Sequence, residues 1–74
     1  MRNLSINISL TDKMKELSLL SSCYECKKIK NVFIYNNEDK SNFVIGCCLC
    51  DTYTDACKDL PTANMFWVEM SLYF

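Results

Sequence analysis

The residues of this 74-residue chain best equipped for chemistry are its six cysteines. Cys23 and Cys26 form one CxxC, in CYEC, and Cys47 and Cys50 form another, in CCLC, with twenty residues between Cys26 and Cys47. Two residues between sulfurs allow a tight turn to aim both at one point, and two such turns complete a tetrahedron of soft thiolates. Four protein ligands close the coordination sphere and leave no position for a reactive water, so such a site is structural. Zn2+ suits this donor set; iron in a rubredoxin-like S4 site shares the geometry and stays open as the alternative.

Cys48 and Cys57 are left over. A pairing through Cys48 would leave a single residue before Cys50, too short for a turn presenting both sulfurs, so Cys47 is the expected ligand and Cys48 should point away. Cys57 lies too far down the chain to belong to the second turn. Both are read as small buried or half-buried hydrophobes. A disulfide framework is the competing use of six cysteines. The chain opens with neither a secretory signal nor an apolar span, which implies a reducing compartment where paired cysteines hold metals.

Composition narrows the function classes. There is no histidine, which removes the usual general base and a common catalytic metal ligand. Asp51 and Asp55 are isolated acids, Glu38 and Asp39 read as a solvated turn, and Cys57 has no evident activating base, so an enzyme is not expected. Eight basic and nine acidic residues give a net charge of −1, which four thiolates and a divalent ion would take to −3. That balance argues against nucleic acid as the main partner. The local exception is Lys27, Lys28 and Lys30 beside the first CxxC, with Phe33, Tyr35 and Phe43 following; bases and aromatics in this arrangement suit single strands.

Several elements must position the sulfurs. LSINISL, residues 4 to 10, alternates apolar and polar and predicts a half-buried strand with Leu4, Ile6, Ile8 and Leu10 on one face. From Thr11 or Asp12, either a fair cap, Met14, Leu17 and Leu20 predict a short helix ending at Ser21 and Ser22. NVFIY and NFVIG, separated by the turn material NNEDKS, predict a hairpin whose open end the metal clips. A third strand is expected over residues 53 to 57. Gly46, the only glycine, precedes the second CxxC and is assigned a backbone role where the strand turns into the metal loop.

A helix is expected from Asp59 as N-cap, with Pro61 in its first turn. Ala63, Phe66, Trp67 and Met70 form its core stripe. Met65, Val68, Leu72, Tyr73 and Phe74 are then surplus to a single small core and mark a partner or self-association surface.

From Cys23 to Trp67, 45 of the 74 residues, the chain resembles the Lar-type restriction alleviation proteins, small zinc-ribbon proteins of phages and prophages. The matching features are CYEC, FVIGCCLC, Thr54, the helix start at Asp59, Ala63 and Trp67. Tyr24 stands where the family usually has Pro, Lys27 and Asp51 where it has Gly after each CxxC, and Val68 where it has Asn. Residues 1 to 22 have no counterpart. The resemblance implies a phage-encoded protein in the host cytoplasm that blunts host restriction.

The expected fold is a small α+β metal-stapled domain. A zinc ribbon with a three-stranded antiparallel sheet and a C-terminal helix occupies residues 23 to 74, and a strand and short helix occupy residues 1 to 22. The expected function is binding a host protein to counter restriction or another defence system, with a transcription-linked or nucleic-acid-binding ribbon as the alternative; a homodimer stays open as a further partnership.

Overall fold

The computed structural model describes residues 4 to 39 and 41 to 73, with the side chain of Tyr73 outside the description. Its elements run β1 (Leu4–Ile6), α1 (Ile8–Glu16), β2 (Val32–Asn37), β3 (Phe43–Cys47), β4 (Thr52–Tyr53) and α2 (Leu60–Tyr73). The strands form one antiparallel sheet in the order β1-β2-β3-β4. The domain is thus α+β, with the hairpin at the centre of the sheet, the N-terminal strand added at one edge and the C-terminal helix laid across it.

The N-terminal segment differs from its alternation. The strand stops at Ile6, and the helix begins at Ile8 instead of Thr11 or Asp12. Asn7 is the reason: its Oδ1 accepts from the backbone N–H of Leu10 at 3.1 Å, a cap satisfying one of the orphan donors of a helix start. Leu10 and Met14 then sit one turn apart and pack against the core, while Ile8 is 65% exposed. The helix also completes the sheet edge that β1 leaves open. β1 pairs only with Tyr35 to Asn37, and beyond it the N–H of Ile34 donates to Thr11 Oγ1 at 2.9 Å while the Ile34 carbonyl accepts from Asn7 N–H at 2.7 Å.

α1 ends on residue 16, short of Leu20, in a Schellman motif. Leu19 N–H donates to the Met14 carbonyl at 2.9 Å and Ser18 N–H to that of Lys15 at 3.0 Å, with Ser18 left-handed at φ 57°.

Strand alternation divides the sheet into two faces. Val32, Ile34, Ile45 and Cys47 belong to the main core with Leu20, Cys23, Cys57, Ala63 and Trp67, and α2 packs there against β3. Phe33, Tyr35, Val44, Gly46 and Tyr53 fall on the other face by register. Gly46 lies within β3 with no positive φ, so it does not serve as a turn residue. Its missing side chain makes room for Tyr53: a Cβ there would lie 2.6 Å from Tyr53 Cε1 and 2.8 Å from the Thr52 carbonyl.

The strand expected over residues 53 to 57 is only Thr52 and Tyr53, followed by an isolated bridge between Phe43 and Cys57. Thr54 interrupts the ladder by using its side chain: Ile45 N–H donates to Thr54 Oγ1 at 3.1 Å, and Thr54 N–H returns to the Ile45 carbonyl at 2.9 Å.

Candidate metal centre

The hairpin and two turns bring the four predicted ligands together. The Sγ atoms of Cys23, Cys26, Cys47 and Cys50 all lie within 4.8 Å of one another. Cys26 and Cys47 sulfurs are 3.7 Å apart. A tetrahedral zinc–thiolate site with bonds of about 2.3 Å has sulfur–sulfur edges of about 3.8 Å, so the cage is of the size such an ion needs.

Each half of the cage comes from a different kind of element. Cys47 is the last residue of β3, paired with Val32 at the open end of the hairpin, and is fully buried. The chain then turns through residues 48 to 50 to present Cys50, with Thr52 Oγ1 donating to the Cys50 carbonyl at 3.3 Å. Cys23, also fully buried, opens the first turn, closed by Lys27 N–H donating to its carbonyl at 2.9 Å. Glu25 N–H points at Cys23 Sγ from 3.4 Å, the kind of backbone donor that stabilises a thiolate. Cys26 and Cys50 are half-buried, so the cage has one wall in the core and one toward solvent.

Lys27 and Asp51, the residues that follow the two CxxC pairs, are both left-handed, at φ 63° and 53°. This is the conformation in which glycine avoids a steric penalty. Both positions thus hold, without glycine, a backbone conformation that glycine adopts more readily.

Protonation differs around the cage. A backbone hydrogen bond at Lys28 draws the Cys26 thiol down to about 7, whereas burial pushes those of Cys47 and Cys50 up. An incoming cation must displace those protons, which couples metal binding to pH.

The remaining cysteines separate. Cys48 lies outside the cage and is exposed, contrary to its expected burial, because it sits at the tip of the second turn, where its N–H donates to the Asn31 carbonyl at 2.9 Å. Cys57 is buried at 6% exposure opposite Phe43, the far end of β3 from Cys47, roughly 13 Å away at a strand's rise. Burial, with Asp55 and Asp59 nearby, raises its thiol.

α2 starts as its cap predicts, Asp59 Oδ1 accepting from Thr62 N–H at 2.9 Å. Hydrogen bonding from the Thr62 side chain, together with that backbone bond, holds the Asp59 carboxyl below its ordinary value. Of the expected core stripe, Ala63 and Trp67 are buried and Met70 packs partly against the core, but Phe66 is 38% exposed and falls outside it. Of the surplus set, Met65 and Leu72 are exposed at 50% and 74% and Val68 is half-buried; Phe74 and the Tyr73 side chain lie outside the described residues.

The aromatic set named beside the lysines also splits. Phe33 and Tyr35 share a face, but Phe43, paired with Asn36, projects to the opposite one and packs against the core. Two residues that sequence reasoning missed take its place: Tyr53, edge-on to Tyr35 with centroids 5.6 Å apart, and Lys15, whose Nζ is 4.7 Å from the Phe33 centroid. Neither carries a sequence signal, since each is brought there by register and by α1.

No family model, curated protein or solved structure matches the chain. The three residues on which the Lar-type resemblance turns beyond the cysteines, Thr54, Ala63 and Trp67, are all buried. Each has a local structural task, so they speak for the architecture and not for a target. None of the helices is long and apolar enough to cross a membrane, among the described residues.

Proposed function

We propose that this chain is a zinc ribbon of phage or prophage origin that works in the host cytoplasm as a binding protein, docking through α2 on a host restriction or other defence component. The observation that carries the docking role is the character of α2. Its fourteen residues contain one charge, Glu69, yet Met65, Phe66 and Leu72 are open to solvent. A helix apolar around most of its circumference belongs inside a larger body, and the described fold fully buries only its Ala63 and Trp67 side. The choice of a defence component rests on the resemblance over residues 23 to 67. Zinc is favoured for the cage because four thiolates at these spacings match its structural sites, and a closed sphere gives the ion a stapling role with no catalysis.

The test is capture from a bacterial lysate with tagged protein at moderate salt and with nuclease present. Stoichiometric recovery of a restriction or defence subunit, lost in the Met65→Asp/Leu72→Asp variant at unchanged metal content, supports the reading. Recovery of RNA polymerase or ribosomal components, or capture indifferent to those two changes, overturns it.

A further inference from the structure

The sheet face opposite α2 carries a second surface. α2 packs against β3 on the other face, and α1 lies along the β2 edge. Register places Phe33, Gly46 and Tyr53 in one row across β2, β3 and β4, with Tyr35 and Val44 in the next row. Tyr35 and Val44 are buried at 8% and 1% and form the floor, while Phe33 and Tyr53 are half-buried and show part of their rings. Tyr35 meets Tyr53 edge-on at 75°, which fixes the outer ring against the floor.

The cations are gathered at the Phe33 side. Lys15 reaches round the edge of β2 from α1, its Nζ over the Phe33 ring and 3.4 Å from the Lys30 carbonyl. That contact ties α1 to the segment holding the exposed Lys28 and Lys30 just before β2. Asp51 and Asp55 flank Tyr53 in sequence, and on the lysine side Glu16 follows Lys15 and Glu25 precedes Lys28 by three residues. The face is therefore aromatic in the middle, with its lysines gathered beside Phe33.

We propose that this face binds single-stranded nucleic acid, with bases stacked on Phe33 and Tyr53 and phosphates running past Lys15, Lys28 and Lys30. Unpaired bases offer flat apolar surfaces to aromatic rings whatever their sequence, and a backbone tracked by lysines gives the salt-dependent share of affinity. Duplex hides its bases and has no such match to a flat sheet. The surface is independent of the α2 docking reading, because the two lie on opposite faces.

The experiment is fluorescence anisotropy of a labelled oligothymidylate with the metal-loaded full chain across a salt series. Binding is expected at low salt and should weaken steeply as salt rises. Tyr53→Leu and Phe33→Leu should each weaken it about tenfold, and Lys15→Gln should reduce the salt slope by about one phosphate contact. Lys58→Gln, remote from the row in sequence and ahead of α2, should change neither. Metal content and near-UV dichroism report whether each variant is folded, and the exposed Lys28→Gln/Lys30→Gln pair provides a reading free of the sheet interior. Met65→Asp/Leu72→Asp should leave oligonucleotide binding intact, which separates this proposal from the previous one. Absence of binding at low salt, equal competition by a duplex of the same length, or full binding by folded Tyr53→Leu and Phe33→Leu proteins would overturn it.

Discussion

The indole Nε1 of Trp67 donates to the carbonyl of Ser21 across 2.8 Å, two residues ahead of the cage ligand Cys23. One side chain thereby joins the middle of α2 to the strand of chain entering the first metal turn, and does so from inside the core, where Trp67 is 2% exposed. The helix and the metal centre should lose stability together. Trp67→Ala is expected to cost about 3–5 kcal/mol through the lost burial and the cavity. Trp67→Phe should cost less and leave the Ser21 carbonyl without its donor. Chemical denaturation of the metal-loaded protein measures both, and faster metal release to a chelator should accompany each.

Among the described residues three non-glycines are left-handed: Ser18 after α1, Lys27 and Asp51 after the two metal turns. Glycine at any of them removes a steric penalty and gives back some of the gain to unfolded-chain entropy. Ser18→Gly and Lys27→Gly should each stabilise by about 0.5–1 kcal/mol, and Asp51→Gly by less, since Asp tolerates this region better. Alanine at the same positions should not stabilise. Thermal melts at fixed metal concentration decide it.

Metal affinity should fall as the solution is acidified. Burial keeps the Cys47 and Cys50 thiols raised, so both carry protons at neutral pH before an ion arrives, while Cys26 sits at about 7. At least two protons must leave per ion bound, so the apparent affinity should drop about a hundredfold per pH unit near neutrality. Competition titrations with a chromophoric chelator at several pH values give the slope; a slope near zero would mean the thiols are not the ligands.

Gly46→Ala tests the packing of the second sheet face. An added Cβ meets the Tyr53 ring and the Thr52 carbonyl, and the backbone oxygen cannot swing away. A loss of about 1–3 kcal/mol is expected, with a changed tyrosine near-UV signal. Pairing Gly46→Ala with Tyr53→Ala should recover part of it, because the ring is then gone.

Much of this architecture was written in short-range signals. CxxC spacing located the cage, Asn and Asp between apolar runs located the hairpin, and Asp59 with Pro61 located the start of α2. The N-terminal boundary was harder, because Ile6, Leu10 and Met14 satisfy both a period of two and a helical spacing, and only the cap at Asn7 separates the two. The role of Gly46 and the company kept by Phe33 depend on which residue lies opposite which, and register is a long-range property. The left-handed turns carried no glycine to announce them. Helix α2 shows its surplus of apolar residues in sequence, but which of them the sheet covers, and so the exposure of Phe66, depends on tertiary packing.

The central claim is that Cys23, Cys26, Cys47 and Cys50 hold one ion that staples the fold. Elemental analysis and native mass spectrometry of the purified chain and its six single Cys→Ser variants test it most directly. One metal ion per chain is expected, lost or greatly weakened in the variants at 23, 26, 47 and 50 and retained in those at 48 and 57, with chelation abolishing the near-UV spectrum. A metal-free chain with that spectrum intact, or loss of metal on Cys48→Ser with retention on Cys47→Ser, would contradict it.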